Sequence, residues 1–306
     1  LAFRSDRILL TGSGGFTGRP LIERLRGEGH SVVGLTRHPG EAGEVSGDLS
    51  SADWTRGAIA DIEPTVVLHL AGITTMLHAD ISEIYSVNVI GTVNLLTALA
   101  QLTTRPRLVI IASSATVYAA PDGEAPIGED SPLDPNNHYA VSKRVVEDVA
   151  RLFRDRLPIV VTRPFNYTGP GQSTTFLVPK IVDHFAREAP EIELGNLDLF
   201  RDISDVERVV EAYARLASAA TKPTTVNICS GRTIYLRDIV SLMQDISGHR
   251  VKVVQNPALM RGNEARTIQG STARLEGLVG DLPNPDFGAT LRRMYEARCA
   301  EARASR

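Results

Sequence analysis

Arg7-Ile-Leu-Leu-Thr11 followed at once by Gly12-Ser13-Gly14-Gly15-Phe16-Thr17-Gly18 is the stretch on which the fold turns. The apolar run stops at the glycines, and Pro20-Leu-Ile-Glu-Arg-Leu25 then takes up helical periodicity. This reads as strand, glycine turn, helix. A diphosphate suits such a turn because the first N–H groups of a helix are free, the macrodipole is positive there, and a side chain would block close approach. Gly12, Gly15 and Gly18 supply that clearance, at Gly-x-x-Gly-x-x-Gly spacing rather than the common Gly-x-Gly-x-x-Gly. The plain alternative is a tight strand-to-helix turn with no ligand.

Strand and helix patterns continue to alternate outward from this turn, which predicts an α/β fold: a doubly wound parallel sheet with a smaller C-terminal lobe. Ser31 to Thr36 is the next strand, and it ends in Thr36-Arg37-His38. An acid at that place binds ribose hydroxyls, whereas an Arg accommodates a 2′-phosphate, so NADP(H) is favoured with NAD(H) as the alternative. Asp48, after Gly47, either caps the next helix or meets the adenine. Thr65-Val-Val-Leu-His-Leu-Ala71-Gly72 is nearly all apolar, as a strand buried on both faces requires, and ends in small residues. A long helical pattern covers Asp80 to Leu102, with Asn88 polar among apolar positions. Leu108 to Ala112 is a strand that delivers Ser113-Ser114 to its carboxyl end, where open parallel sheets bind ligands. The segment Ala119 to Asn136, rich in Pro, Gly and acids, reads as a lid or an exposed connector, and Asn136-Asn137 as a cap for the helix after it.

That helix carries Tyr139-Ala-Val-Ser-Lys143, a phenol and an ammonium four residues apart and so on one face. A nearby cation favours the phenolate, which makes Tyr139 a candidate acid/base near neutral pH. A Tyr and a Lys at this spacing also arise as a half-buried ring beside a solvated amine, so the pair gains its meaning from the glycine turn and from Ser113-Ser114.

Composition narrows the classes. At 306 residues and 42% hydrophobic the chain can bury a full core. Its 33 basic and 36 acidic residues give a net charge of −3, with no footprint for nucleic acid or an acidic membrane. Two cysteines, Cys229 and Cys299, make no disulfide framework, and no Cys/His spacing resembles a metal site; a reducing cytoplasm fits. Leu1 to Arg7 is too short and charged for a signal peptide, and no apolar run approaches the ~20 residues that span a bilayer.

Thr11-Gly-x-x-Gly-x-x-Gly18, His69-Leu-Ala-Gly72, Asn88, Ser113-Ser-Ala-Thr-Val-Tyr118 and Tyr139-x-x-x-Lys143, in that order, resemble the extended short-chain dehydrogenase/reductases that act on nucleotide-sugars. In the second half, Arg163-Pro-Phe-Asn166-Tyr-Thr-Gly-Pro-Gly171-Gln, Leu199 to Asp205, Asn227 to Gly231, Gln255 to Glu264 and Gly270 to Leu275 look most like GDP-4-keto-6-deoxy-D-mannose reductases. The resemblance implies Tyr139 as acid/base, Lys143 bridging the nicotinamide ribose and lowering the tyrosine pKa, Ser114 holding the substrate oxygen, and Asn88 in support. It implies a cofactor cradle of Gly12, Gly14, Gly15, Phe16, Thr17, Gly18, Arg37, Asp48, Leu49, Leu70, Ala71, Gly72 and Phe165, with Tyr139 and Lys143. On the substrate side Arg201 and Arg261 would grip the diphosphate, as planar guanidinium forks do, and Asn166, Lys180 and Glu264 would line the pocket. Tyr167 departs from the family's frequent His, and Ala119 from a frequent Gly.

The expected reaction is reduction of a 4-keto nucleotide-sugar, Tyr139 protonating the developing alkoxide and Ser114 steadying it, with no metal. A 4,6-dehydratase would carry an Asp-Glu pair where Ala115 and Thr116 stand. A 4-epimerase uses the same Tyr/Lys pair and is the leading alternative; a non-catalytic dinucleotide-binding protein typically loses the Tyr or Lys, and both are present. Residues 1–165 plus 202–230 are expected to form the dinucleotide domain and 166–201 plus 231–306 the nucleotide-sugar lobe. Surplus apolar positions on the helices of Asn88 and Tyr139 predict a homodimer.

Overall fold

The computed structural model describes residues 6–37, 44–74, 80–121, 123, 125–219, 222–260 and 264–304. β1 (Arg7–Thr11) turns through the glycines into α1 (Gly18–Gly27), and β2 (Ser31–Thr36), β3 (Glu44–Ser46), α2 (Ala52–Ile62) and β4 (Val66–His69) follow. Next come α3 (Ile81–Tyr85), one π-helical turn at Ser86–Ile90, α4 (Gly91–Gln101), β5 (Leu108–Ala112), α5 (His138–Leu152) and β6 (Ile159–Pro164). Then β7 (Asn166–Thr168), α6 (Leu177–Ala186), β8 (Glu191–Leu194), β9 (Phe200–Asp205), α7 (Val206–Ser218) and β10 (Thr224–Ile228). The chain closes with β11 (Thr233–Tyr235), α8 (Leu236–Ser247), β12 (Lys252–Gln255), β13 (Thr267–Ile268), α9 (Ala273–Val279) and α10 (Phe287–Ala304).

Seven strands pair side by side, all parallel, in the order β3-β2-β1-β4-β5-β6-β10. Alternate residues of a strand face opposite sides, and parallel strands need both sides covered. Leu10, Leu68, Ile110 and Val160 accordingly pack against Leu21 and Leu25 of α1 and Val209 and Tyr213 of α7. Leu9, Val67, Val109 and Val161 pack on the other side, against Ile59 of α2, Leu95 and Leu99 of α4 and Val146 of α5. Each such buried aliphatic side chain contributes about 1.5–3 kcal/mol relative to exposure, so both helical layers are held by the sheet. The order reverses between β1 and β4, which opens a crevice at their carboxyl ends.

A further core gathers Val178, Ile181 and Phe185 of α6, Ile192 and Leu194 of β8, Ile239 and Met243 of α8, and Leu291 and Met294 of α10. α9, which the sequence assigned with this lobe, instead buries Leu275 in the first face of the seven-stranded sheet. β9 lies at the centre of a small sheet, flanked by β11 and β13 and joined by β7.

The helical run Ile81–Gln101 corrects the expectation about apolar length: at 21 residues, with an 18-residue window of mean hydropathy 1.2, it is by length and composition alone long and apolar enough to cross a bilayer. More than half of that stretch is buried in the protein, against α2 and the sheet. The segment from Ala119 to Asn136, read as lid or connector, is tied down at several points. Ala119 N–H donates to Pro132 O (2.9 Å), Ile127 N–H to Gln269 O (2.8 Å), and Ser271 N–H to Ile127 O (3.0 Å).

Candidate active site

The four glycines of the first turn divide by what each makes room for. Gly12 has φ +75°, a region L side chains rarely adopt, and a Cβ there would meet Ala71 N at 2.8 Å. A Cβ at Gly18 would strike Gly12 O and come within 2.6 Å of Ser13 O. These two are demanded by the turn itself. Gly14 and Gly15 are exposed, and a Cβ on Gly14 would find nothing nearer than Thr36 Oγ1 at 3.5 Å. Bare backbone therefore faces open space ahead of α1, where the helix dipole favours an anion, and a diphosphate fits this cradle. Phe16 stacks on Tyr167 (centroids 5.8 Å apart, planes at 12°), and the Thr17 and Tyr167 hydroxyls bond at 2.9 Å.

At the end of β2, Arg37 Nη1 donates to Glu83 Oε1 at 3.0 Å, both side chains being nearly half exposed. His38 lies outside the described residues. Asp48 Oδ1 accepts from Ser50 N–H (2.9 Å), and that bond holds its carboxyl below the usual range, which supports the turn before α2. Leu49 is buried, and its carbonyl accepts from Asn94 Nδ2 at 2.8 Å.

The reacting groups converge at the carboxyl ends of β4 and β5. Asn137 caps α5 by accepting from Ala140 N–H at 3.0 Å, which sets Tyr139 and Lys143 in the first two turns. Lys143 Nζ donates to Ala112 O, the last residue of β5, at 2.8 Å, and burial lowers its pKa to about 8. Burial also pushes the Tyr139 phenol up to about 12; its hydrogen bond with the Ser114 side chain pulls it back, and nearby Tyr167 adds to the rise. The sequence expectation was a phenol drawn down by Lys143; burial, which sequence spacing does not report, sets the net direction upward instead. Ser114 Oγ accepts from both Thr116 N–H (3.2 Å) and Thr116 Oγ1 (2.9 Å), so its own proton is left for Tyr139 or a bound oxygen.

Gly72 is small because a Cβ there would sit 3.0 Å from Asn88 Oδ1 and 3.2 Å from Lys143 Nζ. Asn88, in the π-helical turn, accepts from Ile73 N–H at 2.8 Å and donates to Ile73 O at 3.2 Å and Ser142 Oγ at 3.0 Å. Ser142 in turn donates to Tyr139 O at 2.7 Å. Asn88 thus ties the β4 end to α5, a supporting role rather than a reacting one. His69 sits beneath it, bonded to Thr11 Oγ1 at 2.7 Å and Thr92 Oγ1 at 2.9 Å. The Thr92 proton goes to Asn88 O at 2.6 Å, so His69 Nε2 carries the hydrogen and Nδ1 accepts from Thr11. Burial, then the Lys143 charge, lower His69 to about 3, and the ring is neutral.

The expected substrate residues are less uniform. Phe165 is buried, and Asn166 follows it, exposed, as the first residue of β7. Arg201 does not stand as an open clamp. Its Nη1 donates to Phe200 O (2.9 Å), Ala265 O (2.9 Å) and Arg266 O (3.2 Å), and Nη2 lies 3.8 Å from Glu264 Oε1. Through Nη1 this buried side chain anchors the segment before β13, a role the sequence did not assign to it. Lys180 Nζ donates to Glu193 O at 2.7 Å, toward β8. Arg261 lies outside the described residues. Sequence reasoning passed over Thr116 and Ser142 as orienting groups, and no local motif marks them.

A parallel sheet with a glycine turn at its switch point and a Ser-Tyr-Lys group at the carboxyl ends is the Rossmann-type fold of the extended short-chain dehydrogenase/reductases. The NAD dependent epimerase/dehydratase family matches residues 8–229, and the chain belongs to that family. It is 33% identical to GDP-6-deoxy-D-talose 4-dehydrogenase of Aggregatibacter actinomycetemcomitans, over 96% of this chain and 99% of that one. It is 31% identical to GDP-6-deoxy-D-mannose reductase of Pseudomonas aeruginosa, over 97% and 99%. UDP-glucose 4-epimerase of Mycolicibacterium smegmatis is 29% identical over 76% of this chain and 80% of that one. Among solved structures, RMD from Pseudomonas aeruginosa complexed with NADPH superposes with a TM-score of 0.85 at 30% identity, covering 97% of this chain and 100% of that one. MoeE5 in complex with UDP-glucose and NAD gives 0.86 at 26%, covering 98% and 99%.

Proposed function

We propose that this protein is an NADP(H)-dependent reductase of the 4-keto group of a nucleotide-diphosphate 4-keto-6-deoxy sugar, GDP-4-keto-6-deoxy-D-mannose first among them. The observation that carries the reading is the Ser114–Tyr139 pair beside Lys143 at the carboxyl end of β5, with Ala115 and Thr116 where dehydration would need an acid and a base. The GDP-6-deoxy sugars in the names of the talose dehydrogenase and the mannose reductase, 33% and 31% identical, support the choice of nucleotide and sugar.

Gly12 to Gly18 and α1 would hold the cofactor's diphosphate, Arg37 its 2′-phosphate, and Ala71, Gly72, Phe165 and Lys143 its nicotinamide half. The bound dinucleotide supplies the hydride. Tyr139 holds its proton across the neutral range, because burial has raised the phenol to about 12, and releases it when an alkoxide of higher basicity develops beside it. Ser114, its acceptor sites turned to Thr116, donates to the same oxygen. Lys143, fixed on Ala112 O, places a cation under that proton transfer and eases the charge left on Tyr139.

The test is loss of absorbance at the reduced-nicotinamide band when the protein meets NADPH and GDP-4-keto-6-deoxymannose, with the TDP-linked ketosugar and NADH as parallel arms. Consumption with the GDP sugar supports the reading. Silence in every arm from folded, cofactor-binding protein refutes it and favours the second reading, a nucleotide-sugar 4-epimerase, for which the similarity to a UDP-glucose 4-epimerase and the shared Tyr/Lys pair speak.

A further inference from the structure

Glu147 and Arg163 carry charges that the proposed reaction does not use, yet their side chains are only 8% and 6% exposed. Arg163 makes a two-pronged contact, Nε to Glu147 Oε1 at 2.8 Å and Nη2 to Oε2 at 2.6 Å. Ser113 Oγ donates to the same Oε1 at 2.6 Å. The third face of the guanidinium serves the pinned segment: Nη1 donates to Glu129 O at 2.9 Å, and the group lies 4.8 Å from the centre of the Tyr118 ring. Burial opposes the charge on Arg163, and the bonds to Glu147 more than restore it.

A buried ion pair of this kind is a poor device for stability, since well-packed apolar groups in its place are often as good or better. What it does hold is position. Glu147 lies one helical turn beyond Lys143 on α5, Ser113 adjoins Ser114 at the end of β5, and Arg163 stands two residues before Phe165 on β6. The three elements that carry the site therefore meet at one carboxylate.

We propose that the Glu147–Arg163 pair is a positioning device: by holding Ser113, it fixes Ser114 against Tyr139. Ser113 has one proton and gives it to Glu147, so its hydroxyl cannot turn, and the extended backbone at Ser114 (φ −160°, ψ 150°) carries that constraint to the next side chain. The Thr116 hydroxyl completes the orientation. This rests on the roles given above to Ser114 and Tyr139.

The test pairs kinetics with a signal that needs no turnover. In the double variant Glu147→Met/Arg163→Met no charge is stranded, so its unfolding temperature should stay near that of the parent. Its kcat for the ketosugar should fall roughly 10- to 100-fold with KM little changed, the loss expected of a small misplacement of a reacting group. The ring carbon bearing the hydroxyl of Tyr139, observed by 13C NMR and identified through Tyr139→Phe, should move toward its position in Ser114→Ala. Ser113→Ala, which cuts the link while leaving the ion pair intact, should move kcat and the resonance in the same directions, and decides the matter if the double variant does not fold. A Tyr139 resonance that stays at the parent position in these variants, or a kcat that recovers with the melting temperature, overturns the proposal. If the parent protein reduces none of the ketosugars, the proposed reaction fails, and the resonance still decides the positioning role.

Discussion

Arg37 and Glu83 set a quantitative expectation for cofactor choice. In the structure the Arg37 guanidinium is paired with the Glu83 carboxylate at 3.0 Å, at the place where a 2′-phosphate would require it. A hydrogen bond to a charged group contributes about 1.5–3 kcal/mol net. Releasing an exposed ion pair costs about 0.2–1 kcal/mol, and these side chains are 44% and 47% exposed. The difference leaves the phosphate favoured by about 0.5–3 kcal/mol, roughly 2- to 100-fold in affinity. Arg37→Ala should therefore cut the NADPH-to-NADH preference by about that factor. Glu83→Gln should raise it, by at most about fivefold, because a competitor for Arg37 is removed. Trp54, the single tryptophan, packs on Gly47 next to Asp48 and so would report on a cofactor bound at the end of β2. Titrating each variant with both cofactors and following Trp54 quenching, at constant ionic strength, gives the ratio directly. Equal loss of NADPH and NADH affinity in Arg37→Ala would refute the phosphate assignment, and lower NADPH affinity in Glu83→Gln would show that Glu83 buttresses Arg37 rather than competing with a phosphate.

Other residues give sharper qualitative tests. Tyr139→Phe should lower kcat by about 10²- to 10⁴-fold while leaving cofactor titrations unchanged, and turnover at the parent rate would end its acid/base role. Gly18→Ala sets a methyl group against two backbone carbonyls and should cost about 1–3 kcal/mol or more in denaturant unfolding; an unchanged midpoint would contradict the turn geometry. Burial brings Lys143 from 10.5 to about 8, so between those values the unfolded chain binds a proton the folded one has shed, and stability gains a rising component with pH. Lys143→Met should remove that component, and an unaltered pH slope would contradict it. Light scattering should return the mass of two chains, for which Ile81, Ile90 and Leu152 offer exposed apolar surface on α3, the π-helical turn and α5; the mass of one chain at micromolar concentration would refute the dimer.

The fold was legible because its signals are local. A strand that ends in glycines and a helix that begins beside them announce a switch point within a dozen residues, and β4 and β5 show as short runs of Val, Leu and Ile. The reacting residues were legible for the same reason, since Tyr139 and Lys143 are four apart and Ser114 ends a strand. What their environment does to them was not. Spacing suggested that Lys143 lowers the Tyr139 phenol, whereas burial, a property of the whole packing, sends both residues away from their charged forms. Contacts between distant segments were hidden too: Thr17 meets Tyr167 and Arg201 reaches Ala265 only once the sheet is assembled.

Those hidden contacts divide the site into two unlike parts. On the sheet side every group the chemistry needs is held by neighbours: Lys143 by Ala112, Ser114 by Thr116, Asn88 by Ile73 and Ser142. On the lobe side two of the cations that the sequence assigned to the nucleotide-sugar also serve the protein's own carbonyls, Lys180 bonding Glu193 O and Arg201 Nη1 bonding Phe200, Ala265 and Arg266 O. A residue type that suits a phosphate is equally suited to a backbone oxygen, because both present lone pairs to the same fork of donors. The Ser-Tyr-Lys half of the site can be read from residue identity, because Tyr139 and Lys143 stand four apart on one helix and Ser114 follows the end of a strand. The substrate half is harder to read, because arginines and lysines have two equally good uses, a phosphate or a backbone oxygen.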